Sequence, residues 1–123
     1  MKAHKSRLYN DVEFLTEIRP YRNHLNLVTL SRVVEYIKRE FQKAGLVVEE
    51  QKWIAGGNEY TNVIGLYNPN QEKTLVVGAH YDVCGDQPGA DDNASGVAGL
   101  LELARLLKDQ KLNERVELVF YTN

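Results

Sequence analysis

The chain has 123 residues, a length for one domain with one modest core. Hydrophobic residues make up 43% and charged residues 26%, and 15 basic against 17 acidic side chains leave a formal charge of −2, which gives no electrostatic case for nucleic acid or an anionic membrane as a partner. The single cysteine, Cys84, excludes an internal disulfide framework and a four-cysteine zinc site, and no apolar run approaches the roughly 20 residues that span a bilayer.

Leu8, Val12, Leu15 and Ile18 recur at helical spacing, and Pro20 stops the pattern. The opening, MKAHKSRLYNDVEF, lacks the apolar stretch of a secretory signal; an exported protein with its signal removed would read the same way, so the compartment is open. A polar turn, YRNHLN, follows. Leu30, Val33, Val34, Ile37 and Phe41 then mark one face of a helix from about Val28 to Ala44, with Gly45 as its C-terminal cap. LVVEEQKWI and EYTNVIGLY read as two strands joined by a hairpin-like turn, AGGN. NPNQEK is the next turn, and TLVVGAH reads as a strand buried on both faces. A helix from about Ser95 to Lys108 sets Val97, Leu100, Leu101, Ala104 and Leu107 on one side, and RVELVFYT closes the chain as a strand.

The final strand–helix–strand unit argues for a parallel pair with a right-handed crossover, and the earlier strand pair for an antiparallel section. The expected fold class is α/β: a three-layer α/β/α arrangement with a mixed sheet covered by helices on both faces. In such sheets reactive groups gather beyond the carboxyl ends of the strands, which is where His80 lies.

The segment His80 to Asp92 carries one histidine, four aspartates and a cysteine. A neutral imidazole at a strand end is a good zinc ligand. Two residues on, an extended chain returns Asp82 to the same face, where its carboxylate can accept from the other ring nitrogen and fix the tautomer. A histidine merely capped by a neighbouring aspartate would show the same H-x-D. Pro88 and Gly89 bend the chain, and Asp91 and Asp92 precede Asn93 and Ser95 at the helix start. One such residue would satisfy an N-cap; two adjacent carboxylates besides exceed that need and repel each other unless a cation compensates. Gly96 and Gly99 would let the helix start approach other backbone closely.

GAHYD followed by PGADDNASGVAGLLELARLL resembles the two-zinc aminopeptidase family, the bacterial leucyl aminopeptidases and the glutamate carboxypeptidase-like enzymes. FLTEIRPYRN, YIKREFQKAGLVVEEQKW and TNVIGLY resemble that family's amino-terminal region, so the likeness covers nearly the whole chain. The resemblance implies a zinc-dependent exopeptidase acting on the N-terminal residue of a peptide substrate. It gives His80 as a ligand of one zinc, Asp92 as the carboxylate that bridges both metals, and Asp82 as the catalytic-site carboxylate that supports the histidine. Asp91 is the weaker candidate, helix-terminal rather than metal-binding. Cobalt or manganese would fit similar ligands.

The same resemblance implies a glutamate pair after the strand VELVFYT, as general base and ligand, and a later aspartate and histidine; none of these falls in the sequence. The expectation is therefore that the chain is the amino-terminal part of one zinc metallopeptidase catalytic domain, a truncated zinc-peptidase-like fold that binds zinc weakly and does not hydrolyse peptides alone. Glu49 and Glu50 read as ordinary strand charges, His4 as part of a loose terminus, His24 as a surface residue, and Cys84 as a bystander in the loop. RVELVFYT would be left as an apolar edge, which favours self-association. Two other readings stand beside the peptidase: a non-catalytic binding module that keeps the fold, and a glutaminyl cyclase-like enzyme with one zinc.

Overall fold

The computed structural model describes residues 1–122. Its helices are α1 (Lys5–Glu17), α2 (Leu27–Lys43) and α3 (Ser95–Leu107); its strands are β1 (Val47–Ala55), β2 (Asn58–Tyr67), β3 (Thr74–His80) and β4 (Arg115–Tyr121). A wide turn, Ala90–Ala94, leads into α3.

The apolar stripe of α2 is what holds it. Leu30, Val33, Val34, Ile37 and Phe41 are all buried, while the opposite face is mostly polar apart from the exposed Val28. The helix ends where Gly45 takes φ +80°, and the amides of Gly45 and Leu46 return to the carbonyls of Gln42 and Phe41. That pair of bonds is the Schellman arrangement, and Leu46 is buried together with Phe41 in the core beneath it. Phe41 continues onto the sheet: its ring lies so close over Gly65 that a β-carbon there would come within 2.8 Å, and it meets Phe120 at 5.4 Å between centroids.

The sheet order is β1-β2-β4-β3. The first two pairings are antiparallel and β4 pairs with β3 in parallel, so the sheet is mixed as expected. A single core gathers buried side chains of α1, α2 and α3 against Val63, Val116, Leu118 and Phe120 on one sheet face. Of the three layers expected, the described residues thus form the sheet and one helical layer. No helix among them is long and apolar enough to cross a membrane.

Two expectations about strand environment are corrected. TLVVGAH is not buried on both faces: it is one of the sheet's two outer strands among the described residues, and Leu75, Val76 and Val77 are exposed. RVELVFYT is not an edge: it lies between β2 and β3, with Leu118 and Phe120 fully buried. An unbroken apolar run marks a strand built to be covered, but does not say which described element covers it.

The amino terminus is also docked rather than loose. The backbone amide of His4 donates to Glu102 Oε2 at 2.7 Å, and Arg7 forms two bonds with the same carboxylate. Arg105, one turn further along α3, bonds Asp11 of α1 and Glu40 of α2. Asp11 also accepts from the Tyr36 hydroxyl. Burial pushes the Glu102 carboxyl up, but the bonds from Arg7, the His4 amide and Arg105 outweigh it and hold the pKa at about 2.

Candidate metal centre

His80 is the last residue of β3 and pairs in register with Tyr121 of the parallel strand. Tyr81 then turns inward. Its amide bonds Tyr121 O at 2.8 Å, its side chain is buried, and its hydroxyl donates to Thr61 O at 2.6 Å. Burial raises the pKa of that phenol, so it stays a donor. With Tyr81 anchored inside, His80 and Asp82 flank it and return to a common side. His80 Nδ1 lies 3.1 Å from Asp82 Oδ1 and 3.1 Å from Asp82 O.

The other half of the centre is made at the start of α3. Asn93 is the residue that caps the helix: its side-chain oxygen accepts from the Gly96 amide at 3.2 Å. Gly96 is needed for this, since a β-carbon there would sit 2.4 Å from Asn93 Oδ1; Gly99 has open space around it. The expected close approach at Gly96 is therefore to a capping side chain rather than to backbone, and at Gly99 it is absent. Ser95 donates back to Asp91 O at 2.8 Å. The cap is thereby satisfied without either aspartate. Asp92 and Asn93 depart from helical geometry (φ −114° and −139°), and the peptide bond between them is cis.

The Asp92 carboxylate faces His80, with Oδ1 2.9 Å from Nε2. The imidazole is thus held between two carboxylates, Asp82 behind it and Asp92 in front. The His80 and Asp92 side chains are 45% and 75% exposed, so this side opens to solvent, whereas Asp82 at 18% is largely covered. Asp91 and Cys84 are exposed, and Asp86 accepts from Asn23. His4 stands just before α1 without a capping side-chain bond, and the His24 carbonyl accepts from the Tyr60 hydroxyl; neither histidine joins the centre. Glu49 is exposed, and Glu50 pairs with Lys38 at 3.0 Å and lies near Lys52.

A nitrogen and a carboxylate oxygen that converge suit zinc by donor type. Asp82 lies on the opposite ring nitrogen, which makes it a support rather than a third ligand. Among the described residues no group of three or more His, Cys, Asp and Glu is placed to hold a metal ion. His80 and Asp92 thus suit zinc by donor type, and no third ligand joins them among the described residues.

Nothing local in YRNHLN marks Arg22 as part of this region, yet its side chain is 1% exposed and holds the loop between the two halves. It donates to the carbonyls of Tyr81, Pro88 and Gly89, and also to Leu15 O. Burial lowers the pKa of the guanidinium to about 10, partly offset by Asp82, so it remains a cation at neutral pH.

The mixed sheet with its packed helices is the fold of solved zinc-dependent exopeptidases and glutaminyl cyclases. The chain belongs to peptidase family M28, whose model matches residues 62–123. It is 42% identical to an uncharacterised protein of Escherichia coli, YfbL, over 98% of this chain and 40% of that one. A probable leucine aminopeptidase of Trichophyton verrucosum is 28% identical over 82% of this chain and 30% of its own length. The chain thus spans less than half the length of these relatives. Among solved structures, Porphyromonas gingivalis glutaminyl cyclase superposes with a TM-score of 0.84 at 26% identity, over 98% of this chain and 45% of that one. A Zn-dependent exopeptidase from Parabacteroides distasonis gives 0.82 at 23% identity, over 99% and 47%.

Proposed function

We propose that this chain forms the amino-terminal part of a zinc metallopeptidase catalytic domain that removes N-terminal residues from peptide substrates. The observation that carries the reading is the His80–Asp92 approach at 2.9 Å with Asp82 seated on the opposite ring nitrogen. Membership of a peptidase family and the names of the relatives support the hydrolase class.

His80 Nε2 and Asp92 would hold zinc, which when bound acts as a Lewis acid that polarises a carbonyl and acidifies water. Asp82 accepts from His80 Nδ1–H, keeping the Nε2 lone pair directed outward and the ring basic. Asn93 takes the capping duty and so leaves the Asp92 carboxylate unspent. Two protein ligands fall short of the three or four that hold zinc firmly, so the chain alone binds zinc weakly and does not hydrolyse peptides.

The second reading is glutaminyl cyclase-like chemistry, favoured by the superposition on the Porphyromonas enzyme. A chimera separates the two, with this chain replacing the matched region of the E. coli relative. Zinc-dependent release of N-terminal residues, lost in His80→Ala and Asp92→Ala, is the expected result. Cyclisation of N-terminal glutamine would favour the second reading, and zinc binding with neither activity would favour a binding module and refute both.

A further inference from the structure

We propose that Arg22 is a positioning residue that sets the distance between the two halves of the metal centre. His80 and Asp92 are twelve residues apart in sequence and 2.9 Å apart in space. The chain between them must fold back on itself, and it does so around one guanidinium. Nε donates to Tyr81 O at 2.8 Å, next to His80. Nη1 donates to Pro88 O at 2.6 Å and Nη2 to Gly89 O at 2.9 Å, at the bend that leads to Asp92. A planar fork fixes these carbonyls relative to one another in a way a lysine ammonium cannot. The remaining Nη1 bond, 2.9 Å to Leu15 O, fastens the fork to α1.

The neighbouring backbone and side chain reinforce the tie. Arg22 O accepts from the Val83 amide at 3.0 Å, and Asn23 Nδ2 donates to Gly85 O at 3.0 Å and to Asp86 Oδ1 at 3.1 Å. Gly89, at φ +59°, lets the bend close: a β-carbon there would lie 2.3 Å from Val83 Cγ1, 2.6 Å from Asp92 O and 3.2 Å from Arg22 Nη2. The Gly89 carbonyl also accepts from the Ala94 amide at 2.9 Å, so the guanidinium and the turn carrying Asp92 share one acceptor. The His80–Asp82 contact, by contrast, joins residues two apart at one strand end and does not cross the loop. Arg22 therefore acts chiefly on the His80–Asp92 approach, because it ties the Tyr81 flank to the Pro88–Gly89 bend, whereas His80 and Asp82 lie on one flank.

The inference takes its meaning from the metallopeptidase reading, but its test has a metal-free arm. Arg22→Lys and Arg22→Gln are compared with the wild-type chain and with Arg105→Lys, a destabilising control in the ion network that joins α1, α2 and α3. Cross-relaxation between the His80 ring protons and the β-protons of Asp82 and Asp92 is measured without metal, and zinc binding by chelator competition. Both Arg22 variants are expected to keep the Asp82 contact, lose the Asp92 contact and bind zinc at least tenfold more weakly, while Arg105→Lys keeps both contacts and its zinc affinity. Retention of the Asp92 contact in the Arg22 variants, or its equal loss in Arg105→Lys, would overturn the proposal. So would global unfolding of both Arg22 variants where Arg105→Lys stays folded, which would make Arg22 a residue of general stability. A wild-type chain that shows the Asp92 contact but binds no zinc would instead sink the metallopeptidase reading and leave the positioning role standing.

Discussion

Glu102→Gln tests the clamp that fastens α1 to α3, the helix whose start carries Asp92. The Glu102 side chain is 3% exposed and bonded by Arg7, Arg105 and the His4 amide. A carboxyl held at about 2 instead of its ordinary 4.5 is linked to about 3 kcal/mol of stability at neutral pH. Because the folded-state pKa is depressed, this contribution is complete above pH 4.5 and fades as the pH falls toward 2. Glutamine keeps the shape but not the charge, and it leaves two guanidinium groups facing a neutral amide; Arg105 retains Asp11 and Glu40. A loss of about 2–3 kcal/mol in a chain of this length lowers the melting temperature by about 8–12 °C. Circular-dichroism melts of both proteins from pH 2 to pH 7 read it out. The gap should be largest at neutral pH and shrink below about 1 kcal/mol near pH 2. A variant as stable as the wild type at pH 7, or a gap that does not change with pH, would refute the linkage.

Two further outcomes follow from the site and the sheet edge. Asp82→Asn removes the anionic acceptor behind His80 and is expected to weaken zinc binding about 10–100-fold with little change in melting temperature, read by chelator competition; unchanged affinity would deprive Asp82 of its supporting role. The exposed β3 edge, with Leu75, Val76 and Val77 outward, is expected to drive self-association that light scattering detects at high concentration and that Val76→Lys suppresses; a wild-type chain that stays monomeric throughout would remove that expectation.

Much of this architecture was legible in the sequence because local pattern and tertiary use agree. The α2 stripe, the glycine that ends it and the Gly56–Gly57 hairpin each carry their own stop and start signals, and each element lies where those signals put it. Strand burial was not legible, because an apolar run such as TLVVGAH reports what a strand can be packed against, not where it stands in the sheet order. The likeness of His80, Asp82 and Asp92 to family positions could be read from GAHYD and DDNASG, and the structure brings these three side chains together. Asn93 stood among several plausible caps, and only the fold separates the capping residue from the carboxylate left free to face His80. Arg22 was invisible: its partners are backbone carbonyls up to 67 residues away, and carbonyls leave no trace in residue type.

The central claim, that His80 and Asp92 share a cation with Asp82 behind the ring, is tested most directly by following the His80 imidazole nitrogens by NMR while zinc is added to the chain. The account predicts that Nε2, and not Nδ1, shifts as the metal-bound nitrogen in the wild type and that Asp92→Ala abolishes the change. A ring that titrates with zinc through Nδ1, or that ignores zinc at millimolar concentration, would contradict it.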